Sequence, residues 1–169
     1  MNQIPETKAV GFQKMLDVPT FHDLNEIGLK RAYKEPNKLF IDNNNLYIAG
    51  TSSLQDMFDD LKIPFHMTKH SQRYQDAEKL LKANPQVNSI TGHSLGASVA
   101  LELEKNNPNL HVMGAYGTPT ISNTPALNRF RKDYDPVSMF DRGSYSKPNS
   151  ILKGPLQAHD YKKMSAKLN

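Results

Sequence analysis

Five residues near the middle of the chain, Gly92-His93-Ser94-Leu95-Gly96, have the types and spacing that a serine nucleophile needs. A serine hydroxyl attacks a carbonyl carbon only when it is thrust clear of its own backbone. The G-x-S-x-G pattern achieves this on a strand-to-helix turn too tight for a side chain at either glycine. The same turn sets the hydroxyl at the positive end of the following helix, where charge developing on a substrate oxygen is stabilised. The bare pattern arises by chance in roughly one chain of this length in twenty, so its weight comes from its surroundings. A run that reads as a short buried strand, Val87 to Thr91, precedes it, and an apolar-periodic helix, Leu95 to Asn106, follows. The competing reading is an ordinary turn in which Ser94 caps the helix.

A serine hydroxyl is a poor nucleophile until a base takes its proton, and on this kind of turn the partners follow in the order serine, acid, histidine. Two histidines follow Ser94. His111 falls inside a predicted buried strand too soon after the turn, whereas His159 lies in a late loop at the start of the last predicted helix, which makes His159 the candidate base. Asp135 follows a predicted strand over 128–132 and precedes Pro136, so it stands where a strand end meets a loop. Asp141 is its rival, while Asp133 and Asp160 read as surface or capping residues. An oxyanion hole needs two converging backbone N–H groups. Leu95 supplies one, and Gly50-Thr51, after an earlier strand, is the candidate for the second, with Thr51 able to add its hydroxyl. The competing reading of Thr51 is a helix cap. His93 is expected to support the turn through hydrogen bonds. His22, His66 and His70 read as surface or packing residues, and neither a metal nor an organic cofactor is called for.

These residues need a scaffold of strands and helices in alternation. From Thr20 to about Pro36 a helix is predicted, with Phe21, Leu24, Ile27 and Leu29 as its apolar face. Lys38 to Asp42 and Leu46 to Ala49 read as a hairpin joined by Asn43, Asn44 and Asn45. Ser53 to Leu61 has helical spacing, Ile63 to Met67 is a candidate strand, and Gln72 to Ala83 is a helix with Ala77, Leu80 and Leu81 inward, stopped by Asn84-Pro85. After the central motif come a strand at Leu110 to Tyr116, another at Asn128 to Lys132 and a final helix from about Asp160. Strand and helix in alternation call for an α/β fold, a mostly parallel sheet flanked by helices. Residues 1–19 show no periodicity and read as a loosely packed lead-in.

Bulk properties agree with one domain over residues 1–169. With 37% hydrophobic and 22% charged residues the chain can fold, and with no cysteine it has neither disulfides nor a thiolate nucleophile. The net charge of +4 is scattered rather than gathered into a nucleic-acid arm. It suggests, weakly, peripheral attraction to anionic surfaces such as phospholipid headgroups, with a merely solvated surface as the commoner reading, and it points to no nucleic acid. No signal-peptide core and no membrane span is visible.

In several blocks the chain resembles the class 3 lipases, the fungal triacylglycerol lipase family, over roughly residues 38–161. Ala49-Gly50-Thr51-Ser52-Ser53 through Asp56 and Asp60-Leu61 is similar to that family's oxyanion segment, and Ile90 to Ala97 to its nucleophile block. Tyr116-Gly117-Thr118-Pro119 with Asn123, Asp135-Pro136-Val137 and Gln157-Ala158-His159-Asp160-Tyr161 resemble the blocks that follow. The resemblance implies a minimal α/β-hydrolase fold, a triad of Ser94, Asp135 and His159, and an oxyanion hole of Thr51 and Leu95. It implies hydrolysis of carboxylic esters of lipids without a cofactor. The chain departs from the family in having Ala97 for the usual glycine, Ala49 for the arginine before Gly50, and Thr120-Ile121-Ser122 for an arginine-containing stretch. Only eight residues separate Leu61 from His70, which leaves little or no lid. Phospholipase, lysophospholipase and simple esterase therefore stand level with triglyceride lipase. Compact cysteine-free relatives of viral or mobile-element origin imply a cytoplasmic or virion-associated protein. Two other classes share the sequence features: a catalytically inactive lipid-binding or structural protein, and an acyltransferase or peptidase on the same scaffold.

Overall fold

Short apolar runs alternating with amphipathic helices can bury both faces of a sheet only if the sheet lies between the helices. That is the arrangement in the structure, a computed structural model that describes residues 21–51, 71–119, 128–132 and 151–152. Its elements are α1 (Phe21–Lys34), β1 (Leu39–Asp42), β2 (Asn45–Ile48), α2 (Gln72–Ala83), β3 (Ser89–His93), α3 (Leu95–Asn106), β4 (His111–Tyr116), β5 (Arg129–Lys132) and β6 (Ile151–Leu152). Among the described residues six strands lie side by side in chain order, with β1 antiparallel to β2 and each later pair parallel. Crossovers of one hand between strands laid down in this order put their helices on one face. Accordingly α2 and α3 pack together on one side and α1 covers the other.

The strands feed both layers by alternation. Leu46 and Ile48 of β2 join Ile90, Val99, Leu103 and Val112 beneath α2 and α3. Tyr47 and the following Ala49 join Leu29, Ala32, Tyr116 and Phe130 beneath α1. One irregularity interrupts the pattern. Ile90 pairs with Val112 but Thr91 pairs with Gly114, so Met113 is an additional residue in β4, exposed between buried neighbours.

Local signals placed the element ends. Ser71 caps α2 by accepting from the Tyr74 N–H at 3.2 Å, and α2 stops at Asn84. The hairpin turns at Asn43, which takes a left-handed φ of 52°. The boundaries of α3 are those predicted, and β3 begins later than the predicted Val87. Strand β6 was not predicted. The helix predicted over Ser53–Leu61, the strand over Ile63–Met67, the final helix and the lead-in lie outside the described residues.

The predicted face of α1 is corrected. Phe21, Leu24 and Ile27 are 42%, 52% and 48% exposed, and the sheet-facing side carries His22, Asn25, Glu26, Leu29 and Ala32. Polar groups tolerate burial there because each finds a partner. The Tyr116 hydroxyl lies 2.8 Å from His22 Nδ1 and accepts from Asn25 Nδ2 at 2.9 Å. The Thr91 hydroxyl donates to Asn25 Oδ1 at 3.3 Å and accepts from Asn45 Nδ2 at 3.1 Å. Glu26 pairs with Lys30 one turn on, at 2.7 Å. His111, expected in a buried strand, is exposed at the first position of β4. Among the described residues no helix is long and apolar enough to cross a membrane.

Burial holds the His22 imidazole below its ordinary pKa of 6.5, against a smaller upward pull from Asp23. The unfolded chain therefore takes up a proton that the folded chain refuses. The contribution of His22 is complete above the ordinary value and declines as pH falls through it. The thermal midpoint should drop between about pH 7 and about pH 5.5, and His22→Gln should flatten that slope. Melts followed by circular dichroism at several pH values check both.

Candidate active site

Ser94 is the single residue between the end of β3 and the start of α3. Its backbone sits at φ 56°, ψ −126°, a region that a non-glycine residue holds at a cost of about 1–3 kcal/mol and only where its surroundings impose it. They do so from both sides. The Ser94 N–H donates to the Tyr116 carbonyl at 2.8 Å, and the Ser94 carbonyl accepts from Ala97 N–H at 2.9 Å and Ser98 N–H at 3.3 Å. The flanking glycines let the turn close. A Cβ on Gly92 would lie 2.3 Å from the Gly96 carbonyl oxygen, and one on Gly96 would lie 2.1 Å from that of Ile48. The helix thus starts in contact with the backbone of both β3 and β2. Although Ser94 occupies the N-cap position and is 1% exposed, its hydroxyl makes no capping bond to α3. The reading of Ser94 as an ordinary cap is set aside by that geometry.

The segment leaving β2 presses on this turn. A Cβ on Gly50 would stand 2.7 Å from Ser94 Cβ and 3.2 Å from Ser94 Oγ, so glycine is what permits the approach. The next residue, Thr51, buries its Oγ1 with no hydrogen-bond partner. An unpaired buried hydroxyl forfeits about 1–3 kcal/mol, a cost that a bound acceptor would remove. Across from it, the bonds of the first turn of α3 begin at Ala97 N–H. Leu95 N–H lies ahead of them, among the helix-start donors that have no partner within the helix. Thr51, which follows the Gly50 that lies against Ser94, and Leu95, which follows Ser94 itself, are the two residues singled out from the sequence as oxyanion donors.

Two further residues escaped sequence reasoning. Tyr33, in the last turn of α1, places its hydroxyl 2.7 Å from His93 Nδ1 and accepts from Gly50 N–H at 3.2 Å. Arg73, at the start of α2, donates from Nη1 to the Ala49 carbonyl. Ala49 N–H in turn donates to the Lys38 carbonyl at 2.9 Å, and Lys38 Nζ donates to the Tyr33 carbonyl at 2.7 Å. Nothing local marks Tyr33 or Arg73, because their partners at the turn lie 17, 60 and 24 residues away. His93 does make a hydrogen bond beside the turn, to Tyr33.

Asp135, its rival Asp141, and His159 lie outside the described residues, as do His66 and His70. Strands β2, β3, β5 and β6 all release the chain at one edge, β5 shortly before Asp135 and β6 before His159. Among the described residues no cluster of metal-ligating side chains forms. The arrangement offers a strained serine at a helix N-terminus, with the Gly50 backbone against it and a buried, unpartnered hydroxyl on the next residue, Thr51. That is the geometry for nucleophilic attack with stabilisation of an oxyanion. No protein-family model matches the chain, and no curated protein or solved structure matches it.

Because Ser94 carries a positive φ with no capping bond to set against it, glycine should relieve the strain and alanine should not. Ser94→Gly should be more stable than Ser94→Ala by about 1 kcal/mol, measured by urea unfolding. Gly96→Ala should cost more than about 3 kcal/mol, because its Cβ meets backbone that cannot turn aside, and should show as loss of soluble folded protein.

Proposed function

We propose that this protein is a serine hydrolase of the α/β-hydrolase type that cleaves carboxylic esters, lipid esters foremost, through an acyl-enzyme on Ser94. The observation that carries the reading is Ser94 itself: strained, seated between strand and helix, with a hydroxyl not spent on its own helix. The orphan hydroxyl of Thr51 beside it supports the same reading. So does the exit of β5 and β6 at the serine's edge of the sheet, ahead of an aspartate and a histidine in the required order. The likeness of five sequence blocks to class 3 lipases supplies the substrate class.

In this mechanism His159 takes the Ser94 proton as Oγ attacks the ester carbonyl, and the resulting oxyanion accepts from the N–H groups of Leu95 and Thr51 and from the Thr51 hydroxyl. As the tetrahedral adduct collapses, the C–O bond to the alcohol breaks and His159 returns the proton to the leaving oxygen. Water, deprotonated by His159, then attacks the acyl carbonyl, and the carboxylic acid departs as Ser94 recovers its proton. Asp135 orients His159 and stabilises its charged form. The net charge of +4 favours encounter with anionic lipid surfaces.

Hydrolysis of p-nitrophenyl esters of graded chain length, with phospholipid vesicles in parallel, tests the proposal. Ser94→Ala should lower turnover by about 10⁴-fold or more, and a fluorophosphonate should label Ser94 in the wild type. A folded wild type that neither turns over any ester nor takes the label would defeat the proposal and leave a non-catalytic lipid-binding scaffold in its place.

A further inference from the structure

The two residues that join β2 to Thr51 hold their backbone by bonds of mixed origin. Ala49 N–H is taken by the Lys38 carbonyl, which continues the hairpin. The other two bonds come from side chains. Arg73 donates to the Ala49 carbonyl from α2, on one face of the sheet, and the Tyr33 hydroxyl accepts Gly50 N–H from α1, on the other. Among the described residues the repeating sheet bonds end here, and these two groups hold the path of the chain beside Ser94.

The position of Tyr33 makes the dependence specific. One oxygen bonds both the amide of Gly50, which touches Ser94, and the imidazole of His93, the residue before Ser94. It thus fixes the separation between the two stretches that supply the donors. Its own backbone is held by Lys38 Nζ, and its ring lies tilted against His93 with centroids 5.9 Å apart. An oxyanion donor acts only within a few tenths of an ångström of its place, and a misplacement of about 1 Å costs about 10²-fold in rate. Without the phenol, the buried Gly50 amide loses its partner and the segment shifts to find another.

We propose that Tyr33 and Arg73 are positioning residues that clamp the Ala49–Thr51 segment from opposite faces of the sheet, at the distance from Ser94 at which Thr51 donates to the oxyanion. The inference rests on the hydrolase reading above. It assigns neither residue a contact with substrate, so their removal changes how well the transition state is held and leaves ground-state binding in place.

The test compares wild type, Tyr33→Phe and Arg73→Gln on a short-chain p-nitrophenyl ester. It also measures inhibition by an alkylboronic acid, whose tetrahedral adduct with Ser94 puts an oxygen at the oxyanion position. Tyr33→Phe keeps the ring, and α1 stays tied to the sheet by His22 and Asn25. In both variants kcat should fall about 10- to 100-fold with KM within about twofold, and the boronate inhibition constant should rise in the same proportion. Unchanged kcat, a loss confined to KM, or a fall in kcat with unchanged boronate affinity would each overturn the clamp. Should Tyr33→Phe fail to fold by circular dichroism, Arg73→Gln decides by the same criteria. A wild type that is inactive and unlabelled brings down the hydrolase reading and the clamp together, whereas an active wild type with indifferent variants brings down the clamp alone.

Discussion

A helix can start against the backbone of a neighbouring strand only where no Cβ intervenes, and Gly96, whose side chain would run into the Ile48 carbonyl, is that point of contact. Much at the strand ends follows from it. With the first turn of α3 lying on the end of β2, the chain leaving β2 passes directly over Ser94, and only a glycine at position 50 fits the remaining gap. Ser94 has no room to relax toward an ordinary helical or extended conformation, because its N–H is held by β4 and its carbonyl by α3. The strain is stored by packing on all sides.

The polar side of α1 belongs to the same construction. Tyr116 uses both its ends: its hydroxyl gathers His22 and Asn25 from α1, while its carbonyl holds Ser94 N–H. At the far end of α1 Tyr33 reaches His93 and Gly50. The helix is therefore fastened by hydrogen bonds near both ends, with Leu29 and Ala32 supplying apolar contact between them. Such a satisfied buried network fixes one arrangement of helix on sheet, where an apolar face alone would tolerate several.

How much of this was legible in the sequence depended on how local its cause was. The glycines about Ser94 and the bounds of α3 could be read because the tight turn, the strand before it and the apolar period after it all act within a few residues. The buried face of α1 could not be read from apolar spacing. Leu24 and Ile27 look like core residues and are exposed, while His22, open between surface and packing, and the polar Asn25 are buried. Their burial depends on Tyr116 and Thr91, which stand far away in the chain. Tyr33 and Arg73 were hidden for the same reason. The two-residue β6 is too short for any periodicity to show. Asp135 and His159 are legible only as residue types in the order serine, acid, histidine, and they lie outside the described residues.

Met113 has a consequence for any comparison of this chain with another. Before it, β4 is read in one frame of inward and outward positions; after it, in the opposite frame, so that Val112 and Ala115 share a core although an odd number of steps separates them. A counterpart strand without the additional residue lines up with β4 only if a one-residue gap is opened at this point. Without that gap, Gly114, Ala115 and Tyr116 would each be matched to a position on the wrong side of the sheet. Tyr116, the residue whose carbonyl anchors the serine turn, would then be paired with something that performs a different task.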